Sequence, residues 1–310
     1  MLRLNPGAAA LRSVLHRPRR RSYRVAGPNS LWHIDGNHKL IRWRIVIHGA
    51  IDGYSRLLVF LRASTNNRSS TVLENFVHAV ASYGVPSRVR TDRGGENSSV
   101  WMMMNIFRGF QRGSAIQGRS VHNQRIERLW GDLWRGMTNV YYDLFNYLES
   151  EGVVDCDNEI HMWALHYIYL PRINRDLRDF AEQWNNHGIR TERHMSPLQI
   201  FVRGCLEQQN QPSTAMDEIF RASNATEDAP GFFAPEDAPS ETPVSSSQAE
   251  ELGLLLDWPE RVTVPEVQFT LGDQVAEQVT AQFDPLSGPR GDHGLKLICD
   301  LISFLTSDRH

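Results

Sequence analysis

"RTDRGGEN", residues 90–97, ends a short β-branched segment on an aspartate and continues through two glycines to a glutamate. A strand that stops on an acid and opens into a glycine loop presents a carboxylate where a ligand can come close to backbone. The bland reading is a polar loop at a strand end. Charged side chains are mostly solvated, and the chain holds 36 Asp and Glu, so spacing alone decides nothing and the surroundings of Asp92 have to.

Upstream, "SLWHIDG" (30–36) reads as a strand carrying Asp35 inside an otherwise apolar run. "RWRIVIHGAI" (42–51) and "SRLLVFLRA" (55–63) flank "DGYS", and Asp-Gly between two apolar runs is a hairpin signal. Three antiparallel strands follow from this, with Asp52 as the turn residue of the hairpin. In "SSTVLENFVHAVASYG" (69–84), Val72, Phe76, Val77 and Val80 share one helical face, serines cap the start and Gly84 stops it. "PSRVRTD" (86–92) is a fourth strand.

Downstream, "SVWMMMNIFRGF" (99–110) is a helix or a long apolar turn and "GSAIQG" (113–118) a brief extended piece. "SVHNQRIERLWGDLWRGMTNVYYDLFNYLESEG" (120–152) is a long helix capped by Ser120 and softened near Gly131 or Gly136. Glu127 then lies about two turns in. Trp130 and Trp134, four apart, mark a buried helix face. "WALHYIYLPRINRDLRDFAEQWNNHG" (163–188) is another helical stretch, interrupted by Pro171. The order predicts an α/β class, a mixed sheet flanked by helices.

If the first and fourth strands are neighbours, Asp35 and Asp92 approach each other, and a helix crossing the same edge can add Glu127. Clustered carboxylates repel by several kcal/mol at roughly 4 Å in a partly dry site. Two Mg²⁺ ions relieve that repulsion, since hard divalent cations take oxygen ligands and bridge a phosphate between attacking and leaving oxygens. Such chemistry needs no side-chain nucleophile.

Composition sets the outer limits. At 41% hydrophobic residues over 310 positions the chain can fill a sizeable core. It has no apolar run of 18 residues, so no transmembrane helix is expected. The arginine-rich start lacks the apolar core of a secretory signal, although its Arg, Ser and Ala content also suits a mitochondrial presequence. Cys156, Cys205 and Cys299 are too few and scattered for a disulfide framework, which fits a reducing compartment.

Charge divides the chain. Residues 1–204 hold 28 Lys and Arg against 17 Asp and Glu, a surplus of +11; residues 205–310 hold 5 against 19, or −14. A positive body suits a polyanion such as DNA or RNA, and an acidic tail competes for that surface or recruits a protein partner. "RPRRR" (17–21) is a nuclear-import or backbone-binding element, or a solvated arm. The boundaries expected are a basic N-terminal arm at 1–27, a core at 28–204 and an acidic, largely disordered tail at 205–310. That tail contains "EDAP" twice and is rich in Pro and Ser. Two stretches in it, "LGLLLDWPERVTVPEV" and "GLKLICDLISFL", are apolar enough to dock on a partner or back on the core.

"LWHIDGNHKL", "GAIDGYSR", "RTDRGGEN" and "SVHNQRIERLW" resemble the integrase core of retroviruses and retroelements, in particular the integrase-core proteins encoded in animal genomes and derived from mobile elements. "RTERHMSPLQIFVRG" (190–204) resembles the segment closing such cores. The resemblance implies an RNase H-like fold over residues 28–204. It also implies an Asp-Asp-Glu triad with about 35 residues between its last two members, to which Asp35, Asp92 and Glu127 correspond, Glu127 standing 35 positions after Asp92 with 34 residues between them. From the same resemblance come two Mg²⁺ or Mn²⁺ ions held by those three, DNA cleavage and joining, a homo-oligomer and a nuclear location. Asn123, Gln124 and Arg128 beside Glu127 are the expected nucleic-acid contacts.

Departures bear on activity. Retroviral integrases carry a zinc module of two His and two Cys, and no such spacing precedes the core here; an acidic tail replaces a basic carboxy-terminal module. Two rivals follow: a domesticated, catalytically silent binding module for nucleic acid or protein, and an RNase H-type nuclease. Cys156, His161 and His166 lack a fourth zinc partner and read as packing residues. His33 is read as strand packing or a partner of the acids, His38 as surface, and Glu96 as a loop acid.

Overall fold

The structure, a computed structural model, describes residues 25–92, 94–109, 112–117, 123–209 and 262–307. The readings of the N-terminal arm up to residue 24, the Ser120 cap and the Pro/Ser-rich acidic stretch lie outside the described residues.

The Asp-Gly hairpin organises the sheet. Strand β1 (Trp32–Asn37) pairs antiparallel with β2 (Val46–Asp52), and β2 pairs antiparallel with β3 (Leu58–Ser64). The Asp52 carboxylate fixes the turn between β2 and β3, accepting hydrogen bonds from the backbone N–H groups of Asn29, Tyr54 and Ser55 and from the Ser55 hydroxyl. Strand β4 (Val89–Thr91) runs parallel to β1, and β5 (Ala115–Gln117) parallel to β4, giving the order β3-β2-β1-β4-β5. The first and fourth strands are thus neighbours.

All seven residues of β2 are buried, because helices cover both faces of the sheet. On one face Trp32, Ile34 and Ala50 pack against helix α1 (Ser69–Tyr83) through Val72 and Phe76 and against α2 (Ser98–Arg108) through Val100 and Met104. On the other, Ile47 and Ile51 meet α3 (Gln124–Leu133) through Ile126, Leu129 and Leu133. A π-helical turn, Trp134–Thr138, joins α3 to α4 (Asn139–Ser150) and contains Gly136, one of the two glycines expected to soften this helix.

Two local readings are corrected. Helix α1 takes no serine cap: Arg68 occupies the cap position without a side-chain bond, and Asn66 Oδ1 accepts from the Arg68 N–H instead. Helix α5 (Glu159–Asn186) runs unbroken through Pro171. A mid-helix proline costs about 3 kcal/mol. Burial of Leu165, Ile168, Tyr169, Ile173 and Leu177 on the same helix outweighs that.

The tail reading changes for residues 262–307. After α6 (Pro197–Gln209) and the residues not described come α7 (Asp273–Gln282) and α8 (Leu295–Ser307); α8 lies on α5, and α7 joins the same core through Val279. Val279, Phe283, Ile298, Leu301 and Leu305 join the core that holds Ile168 and Tyr169. Arg172, itself buried, donates to the Ser287 carbonyl at 2.7 Å, Tyr167 donates to the Phe283 carbonyl at 3.0 Å, and Arg290 pairs with Asp179 at 2.7 Å. Ile298, Leu301 and Leu305 stand at helical spacing and bury one stripe of α8. "GLKLICDLISFL" therefore docks back on the core.

Candidate functional site

Strand pairing puts two of the acids side by side. Trp32 is level with Val89 and His33 with Arg90 on the parallel neighbour, so Asp35 and Asp92, each two residues further on, leave adjacent strands about 4.8 Å apart at the same level. Asp35 stands opposite Gly49 on β2 and His33 opposite Ile51. Side chains alternate along a strand, so His33 and Asp35 share the face covered by α3. Glu127 sits in the first turn of α3, not two turns in, because the helix begins at Gln124.

Helix α3 is pinned to β1 by two side chains. Asn123 is buried, accepts from His33 Nδ1 at 2.5 Å and donates to the Ile34 carbonyl at 3.1 Å. Trp130 Nε1 donates to Asp35 Oδ2 at 2.8 Å, while the Gly36 N–H donates to Asp35 Oδ1 at 3.0 Å. The indole reaches that far because Gly49 has no side chain: a Cβ there would stand 2.7 Å from Trp130 Cη2 and 3.2 Å from Leu61 Cδ1. Asp92 Oδ1 accepts from Asn97 Nδ2 at 2.9 Å and from the Gly94 N–H at 3.2 Å. A Cβ on Gly94 would meet the Glu96 carboxylate, the end of a flexible side chain, so a substitution there would displace Glu96.

Burial pushes the Asp35 carboxyl up to about 7; the Trp130 bond opposes the rise, and the charges of Asp92 and Glu127 add to it. Asp92 and Glu127 therefore both lie within electrostatic reach of Asp35. His33 is lowered to about 4, chiefly by burial; the bond to Asn123 opposes this, and Arg90 and Arg125 reinforce it. It is a neutral packing residue that orients Asn123. His38, read as surface, is half-buried where the chain turns back after β1: burial lowers its pKa and Asp92 raises it.

Other sites fare differently. Gln124 and Arg128 are exposed beside exposed Glu127, as nucleic-acid contacts require, whereas Asn123 is 2% exposed and committed to His33 and Ile34. The contact expected of Asn123 is corrected on that ground. Glu96 is buried against Asn97 and is not a solvated loop acid. Cys156, His161 and His166 are spent on Glu149, the Asp155 N–H and the Trp43 carbonyl respectively. Trp130 and Asn97 as donors to the acids were not anticipated. Trp130 was findable, because residues three apart share a helix face and Trp130 follows Glu127 by three.

A carboxylate with two others in electrostatic range of it is the donor chemistry that a hard divalent cation takes. As placed, the oxygens of Asp35 and Asp92 face Trp130, Gly94 and Asn97, and among the described residues no three His, Cys, Asp or Glu side chains close around one point as a metal site would. The donor set fits such a cation; the rotamers are those of carboxylates satisfied by protein donors.

Residues 22–215 match the family model described as integrase core domain. The chain belongs to the integrase core domain family. Its five-stranded mixed sheet flanked by helices is the RNase H-like fold of that family, whose members are polynucleotidyl transferases by type. Among solved structures, the catalytic core of human T-cell lymphotropic virus 2 integrase in complex with magnesium, in a trimeric form, matches at 15% identity and a TM-score of 0.38, over 57% of this chain and 99% of that one. The simian T-cell lymphotropic virus intasome in complex with a PP2A B56 gamma subunit matches at 16% identity and a TM-score of 0.40, over 71% of this chain and 63% of that one. No curated protein matches the sequence.

Proposed function

We propose that this integrase-core chain cuts and joins DNA strands, with Asp35, Asp92 and Glu127 as ligands of two Mg²⁺ or Mn²⁺ ions. The observation that carries the reading is the placement of Asp35 and Asp92 at the same level of neighbouring parallel strands, with Glu127 in the first turn of α3 within electrostatic reach of Asp35. When bound, the ions supply charge stabilisation at the attacking and leaving oxygens of a phosphodiester. The chain's own part is placement. The β1 and β4 ends hold two carboxylates level, α3 brings the third, Trp130 and Asn97 orient the first two, and exposed Arg128 offers a bidentate phosphate contact.

In this reading the protein works as a homo-oligomer in the nucleus. The test is incubation of purified protein with end-labelled duplex DNA and Mn²⁺. Nicking at 3′ ends followed by strand transfer, lost in Asp92→Asn, is the expected result. Hydrolysis without joining would make the protein an RNase H-type nuclease. Salt-sensitive binding without product would make it a silent binding module, the reading favoured by the protein-satisfied rotamers of Asp35 and Asp92.

A further inference from the structure

A cavity of about 290 Å³ lies where the π-helical turn, α5 and the segment leading into α8 meet. Arg172, Arg175 and Arg290 line it, with Asp176, Asp179 and His293. Two of the arginines are matched. Arg175 pairs with Asp176 at 3.2 Å and Arg290 with Asp179 at 2.7 Å, and Asp176 also accepts from the Tyr141 hydroxyl at 2.7 Å. Arg172 is not matched. It is 2% exposed, its Nη2 donates to a neutral group, the Ser287 carbonyl, and its Nε has no partner among the described residues. Folded proteins keep a charge out of water where it is paired, and both carboxylates of this cavity are claimed by other arginines.

Helix α8 sharpens the imbalance. The Gly294 carbonyl takes the first helical bond, from the Ile298 N–H at 3.1 Å, so Gly294 is the cap and has no side-chain oxygen to accept from the first-turn N–H groups. A Cβ on Gly294 would stand 3.0 Å from both Cζ and Nε of Arg172. The buried guanidinium therefore lies against this end of the helix. A helix N-terminus carries roughly half a positive charge, and the first turn of α8 holds no acid but does hold Lys296. Asp292, just before the helix, is exposed and makes no ion pair with Arg172. Three residues back on the same face of α5, the fully buried Tyr169 hydroxyl is also without a partner among the described residues.

A tetrahedral oxyanion meets these needs together. A guanidinium donates to two oxygens of one phosphate at a time, and the open N–H groups of a helix start take a third. The cavity sits at the small end of ligand sites, with room for a phosphate and a small group carried on it but not for a duplex. Arg172 and Arg175 come from α5, whereas Ser287, Arg290 and Gly294 come from the C-terminal segment. An anion held here ties the two together.

We propose that Arg172 and the start of α8 form a binding site for a small phosphate, free or as a monoester, which clamps the segment around Ser287 and Gly294 onto α5. The test is melting of the full chain in EDTA at fixed ionic strength, with inorganic phosphate, glycerol phosphate or acetate up to about 20 mM, comparing the wild type with Arg172→Met. Wild-type melting should rise with phosphate, by about 5 °C at a hundredfold excess over Kd, and Arg172→Met should gain nothing. Hydrogen exchange on the wild type alone gives a second reading that needs no folded variant: inorganic phosphate should slow the amides of residues 295–299 more than those of α1. Absence of a rise in the wild type, an equal rise in both proteins, or exchange slowed no more at 295–299 than in α1 overturns the site. Acetate matching phosphate overturns the ligand class. Glycerol phosphate acting as well as inorganic phosphate assigns the site to a monoester, and inorganic phosphate acting alone assigns it to the free anion; either upholds it. Neither DNA nor a metal ion enters these measurements, so their failure leaves the proposed strand transfer standing.

Discussion

Asp35→Asn is expected to make the metal-free protein more stable. The Asp35 carboxyl goes from an ordinary 3.8 to about 7, with burial first and the charges of Asp92 and Glu127 behind it. The folded state therefore holds this proton more tightly than the unfolded chain does. Stability is unaffected below about pH 4, falls as pH rises from 4 towards 7, and carries the full penalty above 7. About three pH units at ~1.4 kcal/mol each give about 4 kcal/mol, reduced towards about 2 by solvent at the half-buried carboxylate. Asparagine removes the charge and keeps an oxygen to accept from Trp130. Urea denaturation in EDTA at pH 8 should show the variant about 2–4 kcal/mol more stable than the wild type, with the gain vanishing near pH 4. Adding Mn²⁺ should stabilise the wild type and leave the variant nearly where it was. An unchanged or destabilised variant at pH 8 would refute the claim that this carboxylate is held under repulsion.

Trp130→Phe keeps the ring over Gly49 but removes the N–H that opposes the rise at Asp35. At about 1.5 kcal/mol for a bond to a charged group, the pH at which Mn²⁺ begins to stabilise the protein should move up by about one unit, read from melting curves at several pH values. Gly49→Ala drives a methyl against the indole and Leu61 and should cost about 1–3 kcal/mol by urea denaturation, while the same change at Gly131, where nothing approaches, should cost nothing. Leu301→Ala opens a cavity at a fully buried position between α8 and α5 and should destabilise the whole core by about 2–5 kcal/mol. A single unfolding transition shared with the sheet would be seen, and a variant melting like the wild type would detach α8 from the fold.

Much of this architecture was written locally. The Asp-Gly turn, most of the face of α1 and the acid at the end of β4 are each set by a few neighbouring residues, which is why the hairpin could be anticipated, and the approach of Asp35 to Asp92 once the first and fourth strands are neighbours; Val77, expected on the inner face of α1, is instead 44% exposed. What escaped was set across the sheet. Nothing near Gly49 says that an indole 81 positions later will lie on it, and Asn123 looks like a groove residue until β1 supplies His33 and the Ile34 carbonyl to hold it. Pro171 reads as a break because propensity is local, whereas the burial that overrides it comes from α5's contacts with the sheet and α8. In the tail, the apolar stretch that forms α8 was visible in the sequence, but whether it docks on a partner or back on the core was not, because α5 supplies the surface that holds it.

A crystal grown with Mn²⁺ and examined by anomalous scattering puts the central claim to the plainest trial. Manganese should appear between Asp35, Asp92 and Glu127, with the two aspartates released from Trp130 and Asn97 to meet it. Saturating Mn²⁺ that leaves those two hydrogen bonds intact and the three carboxylates bare would contradict it.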